Sequence, residues 1–252
     1  MKIIIIGGGK VGKTIAQYLT KEGHKITIIE KNKQLLDALL NSYDVAGIVG
    51  NGAVVKVLEE AEVQKTDIFI AVTDNDELNL VCCGMAKAMG AKKLVARVRD
   101  TDYADQTELI KQGFGVDLIV NPEQSTAEEI ANLLRFPFAT TVSSFEKGRV
   151  VSVEIRMPEG SPLIGKTIRE VATEYSANLI VGAIIREGNV IIPRGDDILL
   201  ADDYVSFIST PNKIDTFFKK TGIFNQKVKS VLIIGGSRIA YYLTRKLEDV
   251  GI

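Results

Sequence analysis

The chain has 252 residues, of which 46% are hydrophobic and 25% are charged, a composition typical of a folded protein with about two domains. Its formal net charge is −1, and its Lys and Arg residues are spread along the chain, which argues against a nucleic-acid-binding protein. No apolar run of about 18 residues occurs, and the N-terminus has the pattern of a strand, so we predict neither a membrane-spanning helix nor a signal peptide.

The cysteines and the histidine give no indication of catalysis. Cys82 and Cys83 are adjacent, which fits a reducing cytosol better than a disulfide framework. We interpret them as small apolar residues on a buried helix. The only histidine, His24, falls between the first predicted helix and the second predicted strand, and we predict a surface residue.

The N-terminal stretch predicts a buried strand, a glycine-rich turn and a helix. Residues 2–6 include four consecutive Ile residues, as in a central parallel strand that is covered on both faces. Gly7, Gly9 and Gly12 follow with the G-x-G-x-x-G spacing. The first permits the tight turn, the second lets the backbone approach a pyrophosphate, and the third lets the helix pack on the strand. The N-terminal amides of a helix over residues 13–22 then favour a phosphate. The candidate phosphate-binding residues are Gly7, Gly8, Gly9, Lys10, Val11 and Gly12.

A second predicted strand ends on an acidic residue, Glu30, which lies 18 positions beyond Gly12. In dinucleotide-binding folds an acid at this position accepts hydrogen bonds from a ribose diol. The alternative is a glycine turn followed by an unrelated surface glutamate. The complete order of strand, turn, helix, strand and acid favours the dinucleotide-binding interpretation.

Strands and helices alternate through residues 1–121. Strands are predicted at 2–6, 25–29, 45–49, 67–72, 94–98 and 117–120, and helices at 10–22, 32–42, 53–61, 75–89, 104–113 and 123–135. This alternation with short loops predicts an α/β fold, a Rossmann-like doubly wound parallel sheet. In such a sheet the ligand lies beyond the carboxyl ends of the strands, where the strand order reverses.

That position nominates further candidate residues. Asn51 and Gly52 follow the third strand in a small turn that suits an adenine ring. Thr73 and Asp74 follow the fourth strand, although Asp74 has the alternative role of N-cap of the next helix.

Arg97 lies inside the otherwise apolar fifth strand, and a guanidinium there needs a partner. A phosphate or carboxylate in the crevice is one candidate partner. The alternative is a structural ion pair, for example with Glu123.

The pattern changes at Phe136-Pro137-Phe138, where the proline predicts the end of a helix. Beyond it the chain predicts a small α+β domain over 141–224. Its strands are predicted at 150–155, 179–186, 189–192 and 204–208, and its helices at 166–175 and 211–220. Residues 184–193 have the pattern of a hairpin, with Gly188-Asn189 as the predicted turn.

The last segment repeats the first. Ser230–Ala240 resembles the opening strand and turn with an offset of 228 residues, which aligns Gly235 with Gly7. Ser237 and Ala240 replace the second and third glycines of the spacing. We predict the first strand, at 231–234, and the first helix of a second dinucleotide-binding unit that binds no nucleotide itself. Because this strand lacks a neighbouring strand, we expect it to be either disordered or covered by another surface, such as a second copy of the chain. The predicted domains are therefore 1–138, 141–224 and 229–252.

With these motifs in place, the whole chain resembles the TrkA family of regulatory subunits, which are built from tandem RCK (KTN) units. The residues that carry the resemblance are Gly7–Gly12, Glu30, Gly50-x-Gly52, Thr73-Asp74 with Asn79 following, Ala96-Arg97-Val98, Ser161–Lys166 and Ile192–Asp196. Two positions depart from the family pattern. Many relatives have an acid at the position of Asn51, and some have Arg at the position of Lys10. An Arg can contact phosphate through two parallel hydrogen bonds, whereas a Lys cannot.

The resemblance implies an RCK N-terminal domain, an RCK C-terminal domain and a non-enzymatic function. It implies a cytoplasmic subunit, peripheral on the inner face of the cell membrane, that binds NAD(H) or ADP/ATP. It further implies a dimer or tetramer that gates a Trk-type potassium-translocating membrane protein.

The sequence therefore leaves two candidate functions. In the first, a nucleotide bound in the crevice biases the relative orientation of paired domains, and the change of orientation is transmitted to the membrane partner. The alternative is an NAD-dependent oxidoreductase. That alternative needs an acid–base group beside the reacting carbon and a substrate domain, and the sequence offers no recognisable catalytic spacing.

Overall fold

The computed structural model describes residues 1–146, 148–223 and 228–252, and the side chains of Ala104, Asp105 and Val250 lie outside that description. The chain divides into a first unit, Met1–Ser125, and a second unit, Thr126–Ile252. The division falls in the first turn of the helix Pro122–Arg135. The predicted boundaries 1–138, 141–224 and 229–252 stay predictions.

The first unit is built on one parallel sheet. Its strands are β1 (Lys2–Ile6), β2 (Lys25–Glu30), β3 (Ala46–Val49), β4 (Ile68–Ala71), β5 (Lys93–Arg97) and β6 (Leu118–Val120). They are ordered β3-β2-β1-β4-β5-β6, and every neighbouring pair is parallel. The strand order reverses between β1 and β4, so the predicted doubly wound Rossmann-like fold is confirmed.

The four isoleucines of β1 hold the centre of this sheet. Ile3 and Ile5 belong to one apolar cluster, and Ile4 and Ile6 belong to another. The split follows from the period of two in a strand, which points successive side chains to opposite faces. All four are at most 2% exposed. Burial of each contributes about 1.5–3 kcal/mol, so β1 fixes the position of the glycine turn that follows it.

Helices alternate with the strands in the predicted order. They are α1 (Lys10–Lys21), α2 (Lys33–Ser42), α3 (Val55–Glu60), α4 (Asp76–Ala88), α5 (Thr107–Phe114) and α6 (Pro122–Arg135), which runs into the second unit. The sequence did not predict the 3₁₀ segments Val63–Lys65 and Thr101–Gln106. Such segments are too short to show an apolar period.

The second unit contains an antiparallel sheet, which confirms the predicted α+β fold. Its strands are β7 (Thr141–Phe145), β8 (Val150–Arg156), β9 (Ile180–Arg186), β10 (Asn189–Ile191) and β11 (Tyr204–Ser209), in the order β10-β9-β11-β8-β7. Helices α7 (Ile168–Glu174) and α8 (Pro211–Thr221) accompany it. The core of this unit includes Phe136, Phe207, Phe217 and Phe218.

Two details of the second unit correct the sequence analysis. β7 was not predicted, because it is an edge strand whose side chains are mostly exposed and show no clear apolar alternation. The hairpin turn is Glu187-Gly188 rather than Gly188-Asn189, since Asn189 already pairs with Arg186. Glu187 and Gly188 have φ of +50° and +80°, the positive values that a type I′ turn requires at both central positions.

Residues 231–234 form no strand in this single chain, and their coverage by a second copy of the chain stays a prediction. No strand pairing occurs there, and Leu232 and Ile234 are 86% and 92% exposed. The predicted helix does form, as α9 (Arg238–Val250), which buries Tyr242 and Leu247. A helix satisfies its backbone hydrogen bonds internally, whereas a strand needs a neighbouring strand, and the described residues supply none here.

Candidate functional site: a cavity at the strand-order reversal

A cavity of about 570 Å³ opens at the carboxyl ends of β1, β2, β4 and β5. This is the predicted edge of the sheet, and the volume falls within the usual range for small-molecule sites. The predicted binding residues that line it are Gly7, Gly9, Lys10, Val11, Glu30, Asn51, Gly52, Thr73, Asp74 and Arg97. Gly8 and Gly12 do not line it.

Gly7 and Gly12 shape the turn above β1. Gly7 has a φ of +99°, and a Cβ there would lie 3.1 Å from the backbone of Thr73. A Cβ on Gly12 would lie 1.9 Å from the carbonyl oxygen of Gly7, so only glycine lets α1 pack this closely on the turn. Gly9 has open space in front of its Cβ position, with nothing within 4 Å. The geometry at Gly7 and Gly12 agrees with the roles that the sequence predicts for them, and the approach of a pyrophosphate to Gly9 stays a prediction.

The N-terminus of α1 faces this cavity without a side-chain cap. Gly9 is the N-cap residue, it makes no side-chain hydrogen bond, and the first turn carries no acidic residue. By contrast, Asn32 caps α2 and Asn75 caps α4. The first-turn amides of α1 therefore have no intrahelical partner, and together with the helix dipole they favour an anion.

Glu30 is tied to this turn as well as to the cavity. Its Oε2 accepts a hydrogen bond from the Gly8 amide at 2.6 Å, and its Oε1 accepts one from the Asn32 amide at 2.9 Å. An ionised carboxylate offers about four lone-pair sites, so both oxygens keep capacity for hydroxyl donors. Glu30 thus holds the glycine turn and still presents acceptors to the cavity.

The end of β4 is organised by the helix that follows it. The predicted alternative role of Asp74 as N-cap is wrong, because the N-cap of α4 is Asn75, whose Oδ1 accepts from the Leu78 amide. Asp74 is exposed and lines the cavity, and its carbonyl oxygen accepts a hydrogen bond from Arg99. Thr73 lines the cavity beside it.

The structure contains one of the two interactions that the sequence left open for Arg97. Its side chain is 15% exposed and lines the cavity, and its Nη2 lies 3.9 Å from Oε1 of Glu123. That separation allows electrostatic attraction but is too long for a hydrogen bond. The ion pair with Glu123 is therefore present, and contact between Arg97 and a phosphate stays a prediction.

The turn after β3 also approaches the cavity closely. Asn51 Oδ1 accepts from the Ala53 amide at 3.1 Å, which fixes the turn locally. A Cβ on Gly52 would lie 2.6 Å from Cγ2 of Ile6, so this position also needs glycine. The remaining lining residues were not predicted from the sequence: Ile6, Ile29, Lys31, Asn32, Leu35, Gly50, Val72 and Leu78. Most of these residues lie next to predicted binding residues in the sequence. Their position near the strand ends could therefore have identified them as lining residues.

The cysteines and the histidine lie away from this cavity. Cys82 and Cys83 are fully buried, and burial raises the pKa of each thiol to about 12. Both therefore stay protonated and unreactive in the folded chain. Nε2 of His24 lies 3.5 Å from Oε2 of Glu22.

The described part of the chain contains neither a metal-binding cluster nor a membrane-spanning helix. It holds no cluster of three or more His, Cys, Asp or Glu side chains placed to bind a metal ion. None of its helices has the length and apolar character that crossing a membrane requires.

The fold and the glycine turn define a two-domain RCK protein, with a Rossmann-like domain followed by a small α+β domain. The chain belongs to the TrkA family. It matches the TrkA-N domain over residues 3–122 and the TrkA-C domain over residues 153–222.

Curated relatives support this assignment. The Trk system potassium uptake protein TrkA homolog of Archaeoglobus fulgidus is 36% identical over 98% of this chain and 55% of its own length. The Trk system potassium uptake protein TrkA of Vibrio alginolyticus is 34% identical over 99% of this chain and 55% of its own length. The chain thus spans about half the length of the curated relatives it matches.

Solved structures share the fold. The GsuK RCK domain has a TM-score of 0.66 and 18% identity, covering all of this chain and 54% of its own. The GsuK channel bound to NAD has a TM-score of 0.68 and 17% identity, covering all of this chain and 44% of its own.

Proposed function

We propose that this chain is a nucleotide-sensing part of a regulatory subunit of a Trk-type potassium uptake system, and that it is not an enzyme. The observation that carries the proposal is the uncapped N-terminus of α1, which opens on a cavity also lined by Glu30 and Arg97. An anion site beside a carboxylate that can accept ribose hydroxyls fits an adenine nucleotide better than a simple anion.

The lining residues divide into groups that suit the parts of such a ligand. Glu30 would accept hydrogen bonds from ribose hydroxyls, while Lys10 and the first-turn amides of α1 would contact phosphates. Arg97 would contact a phosphate from β5. The turn at 50–52 would lie against the adenine ring, with Leu35 as an apolar neighbour.

The ligand class is NAD(H) or ADP/ATP, because all of these share the adenosine and phosphate groups that the cavity suits. One neighbour of the same fold was solved with NAD, which makes NAD the first nucleotide to test.

The cavity favours regulation over the alternative of an NAD-dependent oxidoreductase. Among the described residues that line it there is no His, the side chain that most often serves enzymes as an acid–base group. Tyr103 does not line the cavity, and its hydroxyl donates to Oε1 of Glu77 at 2.8 Å. That hydrogen bond raises the pKa of Tyr103, which makes it a poorer acid.

The relatives' names supply the remaining parts of the proposal. They are potassium uptake proteins of Trk systems, so the proposed partner is a Trk-type potassium-translocating membrane protein. We place the chain on the cytoplasmic face of the membrane as a peripheral homo-oligomer, a dimer or tetramer. Nucleotide binding would shift the relative orientation of paired domains, and the membrane partner would respond to that shift.

A pair of matched variants tests the site. Gly9→Asp places a carboxylate in open space at the N-terminus of α1, where Asp is a favourable N-cap, so the fold is retained. Its charge would repel phosphates, and we expect nucleotide affinity to fall about 100-fold or more. The control is Ser237→Asp at the equivalent position of α9, where Ser237 already caps the helix.

Calorimetry with NAD, ADP and ATP should give one site per chain for the wild type and for Ser237→Asp. Tight binding by Gly9→Asp would place the nucleotide elsewhere. Steady oxidation of NADH by any aldehyde or ketone, or steady reduction of NAD by any hydroxy acid, would contradict the non-enzymatic function.

A further inference from the structure

One buried side chain of α4 joins two strand ends that line the cavity, although it does not line the cavity itself. Asn79 is fully buried. Its Oδ1 accepts from the Thr73 amide at 2.8 Å and from the Thr73 hydroxyl at 2.7 Å. Its Nδ2 donates to the carbonyl oxygen of Thr73 at 3.3 Å and to that of Arg97 at 2.9 Å. The carboxamide thus links the ends of β4 and β5.

These partners fix the orientation and the identity of the side chain. A backbone amide can only donate and a carbonyl can only accept, so the oxygen must face the Thr73 amide and the nitrogen must face Arg97. Both donor hydrogens and both acceptor sites of the carboxamide are used. An ionised carboxylate of the same size and shape supplies acceptors only, so it cannot replace the donor in these places.

A second side chain of α4 secures the same strand end. Oδ2 of Asp76 accepts from the amides of Arg99 and Asp100 at 2.8 and 2.9 Å, and Asp76 is only 5% exposed. Helix α4 therefore holds the backbone at and after the end of β5 in three places: at Arg97, Arg99 and Asp100. Arg97 lies at the first of these.

From these contacts we infer that Asn79 is a positioning residue for the nucleotide site. It sets the separation between Thr73 and the backbone of Arg97, and so the place from which the Arg97 side chain reaches a phosphate. The inference rests on the proposed function. It assigns a role in binding to a residue that does not touch the ligand.

An Asn79→Asp substitution tests the role with little change of shape. At about pH 7.5 the introduced carboxylate would set an oxygen against the carbonyl oxygen of Arg97 and remove the donor. We expect nucleotide affinity to fall about tenfold or more. Burial raises the pKa of such a carboxyl, so near pH 5.5 it would be protonated and donate again. The affinity ratio of variant to wild type should therefore recover as the pH falls.

The matched control is Asn75→Asp, which lies on the same helix. Asn75 is exposed and its side chain acts as an acceptor for the Leu78 amide, a role that Asp fills equally well. The nucleotide affinity of Asn75→Asp should stay within about twofold of the wild-type affinity at both pH values. If the relative affinity rises at low pH in Asn79→Asp and stays constant in this control, the loss at high pH comes from the lost hydrogen-bond donor. A general effect of added charge would appear in both variants.

A double-mutant cycle with Arg97→Ala tests the route of the effect. If Asn79 acts by placing Arg97, Asn79→Asp should cost less than about threefold in the Arg97→Ala background. Equal losses in both backgrounds, or an unchanged affinity in Asn79→Asp, would overturn the inference while leaving the proposed function intact. A wild type that binds no nucleotide overturns both. If Asn79→Asp does not fold, Asn79→Ser enters the same cycle, because it adds no charge.

Discussion

Glu30 serves the site in two ways at the scale of a single residue. It accepts hydrogen bonds from the amides of Gly8 and Asn32, and it lines the cavity with acceptor capacity left over. Hydrogen bonds to charged groups contribute about 1.5–3 kcal/mol each. Glu30→Ala should therefore weaken NAD binding about tenfold or more, and calorimetry measures this directly.

The same carboxylate predicts the choice between nucleotides. A 2′-phosphate would meet it as a like charge, so NADP should bind more weakly than NAD. Glu60→Ala is the control, since Glu60 is exposed and does not line the cavity. Equal affinities for NAD and NADP would contradict the proposed contact between Glu30 and the ribose. An unchanged affinity for NAD in Glu30→Ala would contradict it as well.

At this scale the sequence predicted roles that depend on local backbone geometry. The roles of Gly7 and Gly12 follow from the spacing alone, because a turn and a close helix contact each exclude a side chain. The bonds from Gly8 to Glu30 and from Asn79 to Arg97 were not predictable. They join residues 22 and 18 positions apart, and their formation depends on how the strands are placed in the sheet.

At the scale of the element, the same local pattern of apolar segment, glycine turn and helix occurs twice in the chain, near its beginning and near its end. Gly7 and Gly235 have φ of +99° and +101°, and a helix follows each. Residues 2–6 form the central strand of a sheet, whereas 231–234 form no strand. The turn and the helix are set by nearby residues and were predicted correctly. The strand depends on partners distant in sequence, so its pattern alone could not decide it.

This difference predicts opposite tolerance to substitution at equivalent positions. Leu232 and Ile234 align with Ile4 and Ile6 but are 86% and 92% exposed. Leu232→Lys combined with Ile234→Lys should change the free energy of unfolding by less than about 0.5 kcal/mol. Ile4→Ala, at a position that is 0% exposed, should cost about 2–5 kcal/mol. Urea unfolding followed by circular dichroism compares them. A large loss in the lysine variant would mean that 231–234 is paired in solution.

At the scale of the whole molecule, the two thiols report whether nucleotide binding is linked to the stability of the first unit. Cys82 and Cys83 lie in its larger apolar cluster with the β1 residues Ile4 and Ile6. Burial excludes reagents and raises the pKa of both thiols to about 12, so neither offers a thiolate while the unit is closed. Reaction with a thiol reagent therefore requires the unit to open. A ligand that binds only the closed unit lowers the population of the open form.

Thiol labelling should accordingly slow when the nucleotide is bound. At a free nucleotide concentration of 100 times Kd, the open population falls about 100-fold, and labelling slows equally where opening and closing are fast. In urea both thiols should react rapidly. At the same nucleotide concentration, labelling of Gly9→Asp should slow at most about twofold, because its affinity is about 100-fold lower while its core is unchanged. Equal rates in the wild type at saturating nucleotide would show that the thiols become exposed without loss of the site, and would contradict the linkage between the cavity and this core.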